Sequence, residues 1–336
     1  MVMRAVELAQ PASLDNFAMV RRAQPKPGPG EVLVRLSASS LNFHDYVVAV
    51  GLLPVEHGRV PLSDGAGTVE ALGEGVQEFA LGDRVVTTFF PDWLDGPLRE
   101  GLNQRIPGDT CDGYACEYVC LPETALTRAP QDWSFAESAT LTCAGVTAWS
   151  AVVEHGKVKP GDWVLVQGTG GVSIYALQIA LAAGANVIAT TSSDAKAERL
   201  KEMGASHVIN YVDNPHWGQA VLECTGGRGV DQVVEVGGAD TLKQSIQACV
   251  PGGQIGLIGI LTGMDVAFPA FALFSKQVRI SGISVGSRRM QQDLVAAVEA
   301  NGIRPVIDRS FPLEELGDAF RHQESGKHFG KICVEF

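Results

Sequence analysis

The stretch VLVQGTGGVSIYALQIA, residues 164–180, decides the fold. A short apolar run leads into a glycine-rich turn, and the turn opens a longer apolar run that ends near Gly184. A buried run bounded by glycines and followed by a longer one predicts a strand, a tight turn and a helix. The residues of the turn are Gly168, Thr169, Gly170, Gly171 and Val172.

This turn has the spacing of a dinucleotide-binding fingerprint, with one departure. Gly168 would make the tight turn, and Gly170 would let a pyrophosphate approach the backbone. Ser173 stands where a third glycine is usual, but serine is the next small side chain. Amides at the helix N-terminus would meet the negative charge of the phosphates. The five turn residues are therefore predicted to bind a cofactor rather than only to pack.

The end of the next predicted strand favours NADP(H) over NAD(H). An NAD site places Asp or Glu there, about 20 residues after the glycines, whereas this chain has TTSS followed by Asp194. The hydroxyl of Ser192 and the ammonium of Lys196 are suited to a 2′-phosphate, although Lys196 could also be an ordinary surface lysine. Asp194 is expected to cap the following helix instead of binding ribose.

Composition excludes several classes of protein. The 336 residues suggest about two domains, and a net charge of −12 argues against nucleic-acid binding as the main role. No run of about 18 apolar residues predicts a membrane span. The first residues lack the apolar core of a signal peptide. A cytoplasmic protein with neither nucleic-acid nor membrane partners is expected.

The cysteines do not predict a disulfide framework or a structural metal site. Seven cysteines are scattered through the chain, an odd number that is typical of free thiols in a reducing compartment. Cys111, Cys116 and Cys120 are near one another. Four and three residues separate them, only these three cysteines lie close, and no fourth ligand is evident for a structural zinc.

Two regions of different pattern predict the domain organisation. Up to about residue 130, short alternating runs such as GEVLVRLSASSL are broken by turns, which is typical of a β-rich domain. Beyond it, strands alternate with helices, which predicts a parallel sheet with right-handed crossovers. The last strand is expected to return to the first domain. We therefore predict an α/β protein in which residues 128–283 form the parallel sheet and residues 1–127 and 284–336 form the β-rich domain.

Seven segments, in order, resemble the medium-chain dehydrogenase/reductase superfamily and its zinc-free quinone oxidoreductase branch. They are PGPGEVLVRLSASSLNFHD, PLSDGAGTVEALGEGVQEFALGDRVV, CAGVTAW, PGDWVLVQGTGGVS, LKEMGASHVINY, GGRGVDQVVEVGG and GKHFGKICV. They span nearly the whole chain. The resemblance implies a Rossmann doubly wound parallel sheet inserted into a β-rich, GroES-like catalytic domain.

The same resemblance argues against a catalytic metal. Zinc members of the superfamily use a cysteine, a histidine and a further cysteine, and those positions fall on Asn42, Ser63 and Cys143 here. Asp64 takes the place of the glutamate that adjoins the histidine. Tetrahedral zinc needs about three protein ligands besides water. Since one soft ligand is kept, no bound metal is predicted.

Without a metal, a conjugated carbonyl is the expected acceptor. Hydride can reach the β-carbon of an enone or a quinone ring, provided the protein orients the acceptor and donates hydrogen bonds to its oxygen. Asn42, an amide at the vacated metal position, is the predicted donor, or else a turn asparagine. The source of the proton stays open among Tyr46, His44 and Asp45. Tyr46 is one residue off the family spacing, and one residue reverses the face of a strand.

Further cofactor contacts are implied by resemblance alone. They fall near the nicotinamide, beside the adenosine phosphate, after two later strands of the sheet and in the C-terminal segment. The residues are Thr147, Tyr211, Gly237, Gly259, Ile260, Phe329 and Lys331.

These expectations combine into an NADPH-dependent, metal-independent oxidoreductase that transfers hydride to a quinone, enone or enoyl thioester. Two alternatives stay open: a zinc-dependent alcohol dehydrogenase and a non-catalytic NADPH-binding protein. The strand in QVRISGISVGS would be a sheet edge, and edges are usually paired or protected. Since family members pair this edge across a two-fold axis, a homodimer is expected.

Overall fold

The computed structural model describes residues 1–263 and 265–336 of the chain. The strands are β1 (Val2–Leu8), β2 (Phe17–Ala23), β3 (Glu31–Ser40), β4 (Ala66–Leu72), β5 (Arg84–Thr87), β6 (Tyr118–Pro122), β7 (Leu126–Arg128), β8 (Trp163–Gln167), β9 (Asn186–Thr191), β10 (His207–Asn210), β11 (Val230–Glu235), β12 (Cys249–Leu257), β13 (Arg279–Gly282), β14 (Ile307–Pro312) and β15 (Lys331–Glu335). The α-helices are α1 (Phe43–Ala49), α2 (Phe135–Ala139), α3 (Val146–Trp149), α4 (Gly171–Ala182), α5 (Asp194–Glu202), α6 (Trp217–Cys224), α7 (Leu242–Ala248), α8 (Ala270–Lys276), α9 (Arg288–Asn301) and α10 (Leu316–Glu324). Within the described chain, no helix combines the length and the apolarity that a membrane crossing requires.

The chain divides into two compact units. One unit is Met1–Val146 with Gly286–Phe336, and the other is Thr147–Val285. The prediction had placed the dividing points after residues 127 and 283. In the structure α2 belongs to the first unit, because Ala136 packs on Ala38 of β3 and Cys333 of β15.

The first unit is built mainly on antiparallel strands, and β14 and β15 are its parallel pair. Its main sheet has the order β14-β15-β3-β4-β5-β7, with β6 also paired to β3, and β1 and β2 form a separate hairpin. Strand β3 alternates and buries Val32, Val34 and Leu36 in the core. Strand β15 lies between β14 and β3, so the C-terminal end of the chain returns to the first unit.

The second unit is a six-stranded parallel sheet of order β10-β9-β8-β11-β12-β13. This is the strand order of a Rossmann fold, which confirms the predicted doubly wound sheet. Central strands are covered on both faces and carry fully buried residues such as Leu165, Ile188 and Val233. Burial of one such side chain stabilises the folded state by roughly 1.5–3 kcal/mol.

Candidate functional site

The glycine turn lies where β8 ends and α4 begins, as the sequence predicted. Gly168 has a φ of 71°, a left-handed conformation that glycine adopts without strain. Gly170 is the residue before the helix, and a Cβ built on either glycine meets no atom within 4 Å. The turn is therefore open above its backbone and presents the first amides of a twelve-residue helix. These features fit a pyrophosphate.

Ser173, in the first turn of α4, joins the helix to the end of β8. Its side chain is buried, and its hydroxyl donates a hydrogen bond of 2.6 Å to the carbonyl oxygen of Gln167. The serine thus links the first turn of the helix to the end of the strand. This hydrogen bond takes the place of the close packing that a third glycine provides.

A buried carboxylate lies beside the turn, and the sequence did not suggest it. Glu235 ends β11, is fully buried and accepts hydrogen bonds from the loop after β11, from the start and body of α7 and from the end of β8. Its donors are the backbone amides of Gly237 (2.8 Å) and Gly238 (3.0 Å), the hydroxyls of Thr241 (2.6 Å) and Ser245 (2.5 Å), and the side-chain amide of Gln167 (2.8 Å).

Gln167 completes this network from the other side. Its amide oxygen accepts from the backbone of Val236 and Gly237, at 3.2 and 3.3 Å. Since Gln167 directly precedes Gly168, Glu235 and Gln167 tie the glycine turn to the loop after β11. The signal available in the sequence was an acid at the end of an apolar strand, immediately before VGG.

The end of β9 carries the residues predicted to choose between NADP and NAD. Ser192 is exposed, and Lys196 lies in the first turn of α5. The backbone amide of Tyr211 donates to the carbonyl oxygen of Thr191 (2.9 Å), so Tyr211 also lies at this strand end. The structure therefore brings together the three residues predicted to surround the 2′-phosphate.

The expectation that Asp194 caps α5 is wrong. Ser193 is the capping residue, because its backbone is extended and its hydroxyl accepts from the amide of Lys196 (3.4 Å). Asp194 is the first helical residue, and its carboxylate accepts from the side chain of Asn210 (2.9 Å).

Two further loops of the sheet approach each other closely. The loop after β12 meets the loop after β11, where the amide of Thr262 donates to the carbonyl oxygen of Gly237 (2.9 Å). Ile260, in the loop after β12, is 43% exposed. A Cβ on Gly259 would lie 2.0 Å from the carbonyl oxygen of Val236, so this contact requires glycine. Gly237, Gly259 and Ile260 therefore share one edge of the sheet. Thr147, the remaining predicted contact in this unit, is buried in α3.

The first unit holds a buried polar cluster around Asn42, which precedes α1. The side-chain oxygen of Asn42 accepts a 2.6 Å hydrogen bond from the ammonium group of Lys331 on β15. Its side-chain nitrogen donates to the hydroxyl of Ser63 (3.2 Å), and its backbone amide donates to the carboxylate of Asp45 (2.9 Å). We call Asn42, Asp45, Ser63, Asp64 and Lys331 the Asn42 cluster.

Lys331 is only 3% exposed, and oxygens surround its charge. Besides Asn42, it donates to the carbonyl oxygen of Leu41 (2.6 Å) and lies 3.5 Å from the carboxylate of Asp64. Asp64 also accepts from the hydroxyl of Ser40 (2.5 Å). Lys331 was predicted to contact the cofactor, and in the structure its ammonium group belongs to the Asn42 cluster.

Burial dominates the protonation of the two carboxyl groups. It raises the pKa of Asp45 to about 6, against the opposing effect of hydrogen bonds from Ser63 and Asn42 and of the charge of Lys331. Burial also raises the pKa of Asp64 to about 6, with Lys331 opposing the rise and Asp45 adding to it. One oxygen of each carboxyl group is buried with no hydrogen-bond partner, which suits a group that is easily protonated.

Tyr46 and His44 have other contacts. The hydroxyl of Tyr46 donates to Glu324 of α10 at 2.7 Å, and that hydrogen bond raises the pKa of Tyr46. The ring of His44 lies 3.3 Å from the carboxylate of Asp109, and burial lowers the pKa of His44. Neither contact joins the Asn42 cluster, whereas Asp45 is part of it.

Phe329 was predicted near the cofactor and lies in the turn that leads into β15. It is 1% exposed, and its backbone amide donates to the carboxylate of Asp308 (3.0 Å). Gly330 follows with a φ of 87° and brings the chain within reach of Val306. Phe329 and Gly330 thereby set the position at which Lys331 enters the sheet.

The donors in the Asn42 cluster do not fit a zinc ion. Zinc prefers thiolate, imidazole and carboxylate ligands, whereas the oxygen of Asn42 already accepts from an ammonium group. A divalent cation bound there would lie beside the charge of Lys331, and the two would repel each other. Across residues 1–263 and 265–336, no three His, Cys, Asp or Glu side chains are grouped to hold a metal ion.

Comparison with known proteins identifies the family. A family model described as "Alcohol dehydrogenase GroES-like domain" matches residues 28–131, and one described as "Zinc-binding dehydrogenase" matches residues 171–300. The chain is 46% identical over 319 residues to the "Zinc-type alcohol dehydrogenase-like protein C1773.06c" of Schizosaccharomyces pombe, covering 92% of each protein. The chain belongs to the medium-chain dehydrogenase/reductase superfamily. It is accordingly an oxidoreductase, as the sequence predicted.

Other members of the superfamily are similar over the full length. A "2-haloacrylate reductase" of Burkholderia sp is 31% identical over 355 residues and covers 99% of each protein. A solved structure named "NAD-dependent alcohol dehydrogenase" superposes with a TM-score of 0.91 at 35% identity, over 99% of this chain and 100% of that one. The relatives thus include both reductases and alcohol dehydrogenases.

Proposed function

We propose that this protein is an NADPH-dependent, metal-independent oxidoreductase that transfers hydride to a conjugated carbonyl compound, such as an enone, a quinone or an enoyl thioester. The observation that carries the proposal is the ammonium group of Lys331 bound to Asn42 at 2.6 Å. In zinc members of the superfamily, the position of Asn42 supplies a metal ligand. A fixed cation at that position supports chemistry that needs no metal.

The residues of the second unit support binding of NADPH. The open backbone at Gly168 and Gly170 and the first amides of α4 would hold the pyrophosphate. Ser192 and Lys196 would bind the 2′-phosphate, beside the aromatic ring of Tyr211. NADPH, when bound, supplies the hydride.

The residues of the first unit support stabilisation of the product anion. Addition of hydride to the β-carbon of an enone moves negative charge onto the carbonyl oxygen. The side-chain nitrogen of Asn42 is the proposed donor to that oxygen. The proton that completes the reaction would come from water or from a nearby acid, for which His44 and Asp45 remain candidates.

The names of relatives favour a second candidate, a zinc-dependent alcohol dehydrogenase. That activity requires a Lewis acid to lower the pKa of the alcohol. The donor set around Asn42 argues against it. Elemental analysis of the purified protein separates the two candidates, since one zinc per chain would overturn the metal-free proposal.

The central experiment measures oxidation of NADPH and of NADH with a panel of acceptors: a 1,4-quinone, an enone, an enoyl-CoA, 2-chloroacrylate and a saturated aldehyde. We expect turnover of conjugated acceptors with NADPH, and no loss of rate after treatment with EDTA. Turnover of the aldehyde alone would overturn the proposal. If NADPH binds but no acceptor reacts, the protein is a non-catalytic NADPH-binding protein.

A variant tests the choice of cofactor. Ser192→Asp places a carboxylate at the proposed 2′-phosphate position and should raise the Kd for NADPH at least about tenfold by charge repulsion, with little effect on NADH. Ser206→Asp, an exposed serine in the loop before β10, is the matched control and should change neither Kd. Equal effects of Ser192→Asp on both cofactors would contradict this assignment.

We also propose a homodimer in the cytoplasm. Strand β13 is an edge of the parallel sheet, and Phe271 and Phe274 of the preceding helix are 73% and 64% exposed. Exposed edges and large apolar side chains are usually covered by a partner. Light scattering that gave a single species at the monomer mass of 35.6 kDa would contradict the dimer.

A further inference from the structure

Gln167 and Glu235 join the two halves of the parallel sheet. A Rossmann sheet is built from two mononucleotide-binding halves, and a dinucleotide lies across the crevice where the strand order reverses. Here the reversal falls between β8 and β11, which are neighbours in the sheet although β9 and β10 separate them in the chain. Gln167 ends β8, Glu235 ends β11, and the amide nitrogen of Gln167 donates to the carboxylate at 2.8 Å. This bond therefore links one half of the sheet to the other.

The surroundings of Gln167 allow its side-chain amide one favourable orientation. Five groups donate to the carboxylate of Glu235, and an ionised carboxylate only accepts, so the nitrogen of Gln167 must face it. The oxygen of Gln167 then faces the backbone amides of Val236 and Gly237, at 3.2 and 3.3 Å. The reversed amide would set oxygen against oxygen on one side and N–H against N–H on the other.

The link continues from Glu235 to the loop after β12. The backbone carbonyl oxygen of Glu235 accepts from the amides of Ile258 (2.9 Å) and Gly259 (3.2 Å). The carbonyl oxygen of Gly237 accepts from the amide of Thr262 (2.9 Å). Since these bonds join the two loops directly, a shift of the loop after β11 also shifts the loop after β12.

At its other end the link reaches the glycine turn. Gln167 directly precedes Gly168, and its backbone carbonyl oxygen accepts from the hydroxyl of Ser173 in α4 at 2.6 Å. The side chains of Gln167 and Glu235 are buried, with exposures of 5% and 0%. They therefore act through the segments that they join and not by contact with a ligand. A buried polar network whose members are all paired favours a single arrangement of those segments.

We propose that Gln167 is a positioning residue that couples the two halves of the cofactor site. When the adenosine and pyrophosphate groups occupy the glycine turn, Gln167 and Glu235 stabilise the loops after β11 and β12, which receive the nicotinamide half. This inference rests on the proposed binding of NADPH. Coupling of this kind is reciprocal, so each half of the cofactor raises the affinity for the other.

The first measurement needs no variant. The fragment 2′-phosphoadenosine 5′-diphosphate carries two linked phosphates but neither the second ribose nor the nicotinamide. Hydrogen exchange in the peptide that contains Gly259 and Thr262 is followed by mass spectrometry with and without a saturating concentration of this fragment. We expect the fragment to slow exchange there at least about threefold. An unchanged exchange rate would overturn the proposal.

A variant separates coupling from a purely structural role. Gln167→Met removes both hydrogen-bonding ends of the side chain at nearly the same length. We expect it to abolish the slowing and to raise the Kd for NADPH about tenfold, while the Kd for the fragment stays within about twofold. Equal weakening of both ligands would show a structural role alone and refute the coupling. Gln219→Met, at an exposed glutamine of α6, is the matched control and should change neither Kd.

An exchange of the two side chains supplies a rescue. Gln167→Glu sets two carboxylates against each other, and Glu235→Gln sets two amide nitrogens against each other, so each should bind NADPH about tenfold more weakly. The double variant Gln167→Glu/Glu235→Gln again sets a carboxylate against an amide and keeps every surrounding donor. We expect its Kd for NADPH to lie within about threefold of the wild-type value. A double variant as weak as the single variants would contradict the proposal, and this test remains even where a single variant does not fold.

The exchange measurement also separates this proposal from the proposed function. If the fragment slows exchange but the protein reduces no conjugated carbonyl, the proposed function has failed and the coupling stands. If conjugated carbonyls are reduced but the fragment leaves exchange unchanged, the coupling is refuted and the proposed function stands. If the protein binds NADH in preference to NADPH, ADP and NADH take the places of the fragment and NADPH in the same experiments.

Discussion

Replacing Asp45 by asparagine should flatten the pH dependence of stability between pH 4 and pH 8. Asp45 is fully buried, and its pKa rises from the usual 3.8 to about 6 in the folded protein. The folded state therefore holds this proton more tightly than the unfolded chain does. The stabilisation is complete below pH 3.8 and is lost as the pH rises through 6. Two pKa units correspond to about 3 kcal/mol.

The assay is chemical unfolding in urea at unit steps from pH 4 to pH 8, on the wild type and on Asp45→Asn. Dilute protein is needed because the isoelectric point is about 5.0. We expect the wild-type protein to lose about 3 kcal/mol more than the variant over this range. Removal of the Asp45 charge also lowers the pKa of Asp64, which flattens the pH dependence of the variant further and adds to the difference.

The control for this experiment is Glu100→Gln, which changes an exposed carboxylate of the same unit. It should follow the wild-type curve at every pH. The reasoning would be refuted if Asp45→Asn also ran parallel to the wild type within about 0.5 kcal/mol, the usual limit for surface substitutions. That outcome would mean that Asp45 has the same proton affinity in the folded and unfolded chain.

Two further substitutions test the roles of single side chains. Tyr46→Phe removes a hydroxyl that donates to Glu324, so we expect stability to change by less than about 1 kcal/mol and the turnover number to stay within about twofold. A large loss of turnover would instead make Tyr46 the proton donor. Glu235→Gln replaces one accepting oxygen by an NH₂ group that faces the donors around it. We expect the free energy of unfolding to fall by about 2–3 kcal/mol and the Kd for NADPH to rise about tenfold. Glu223→Gln, on the exposed surface of α6, is its control in thermal unfolding and fluorescence titration, and equal results for both variants would refute the role of the Glu235 network.

Features that depend on neighbouring residues were predictable from the sequence. The turn at Gly168 follows from glycine spacing between a strand pattern and a helix pattern, and the parallel sheet follows from repeated alternation. The capping of α5 was missed by one residue. Both Ser193 and Asp194 can accept from helix amides, and the extended backbone of Ser193 settles the choice.

Features that depend on distant residues were not predictable in detail. The prediction for Tyr46 assumed that Asn42 and Tyr46 lie on a strand. In the structure they lie at the start of helix α1, where side chains four residues apart share one face. Lys331 was placed near the cofactor by resemblance. Its contact with Asn42 depends on β15 lying beside β3, which no local pattern specifies.

The position of Lys331 has a consequence for how the protein is made. Asn42 and Lys331 are 289 residues apart in the chain, and their bond forms only after β15 has paired with β3. During synthesis the N-terminal strands emerge first, and joining segments so far apart carries a large entropic cost of loop closure. Until β15 arrives, Asp64 and Asn42 lack their contacts with the ammonium group of Lys331. The Asn42 cluster is thus among the last parts of the molecule to be completed, and a nascent chain that still lacks its final strand would carry the parallel sheet without this cluster.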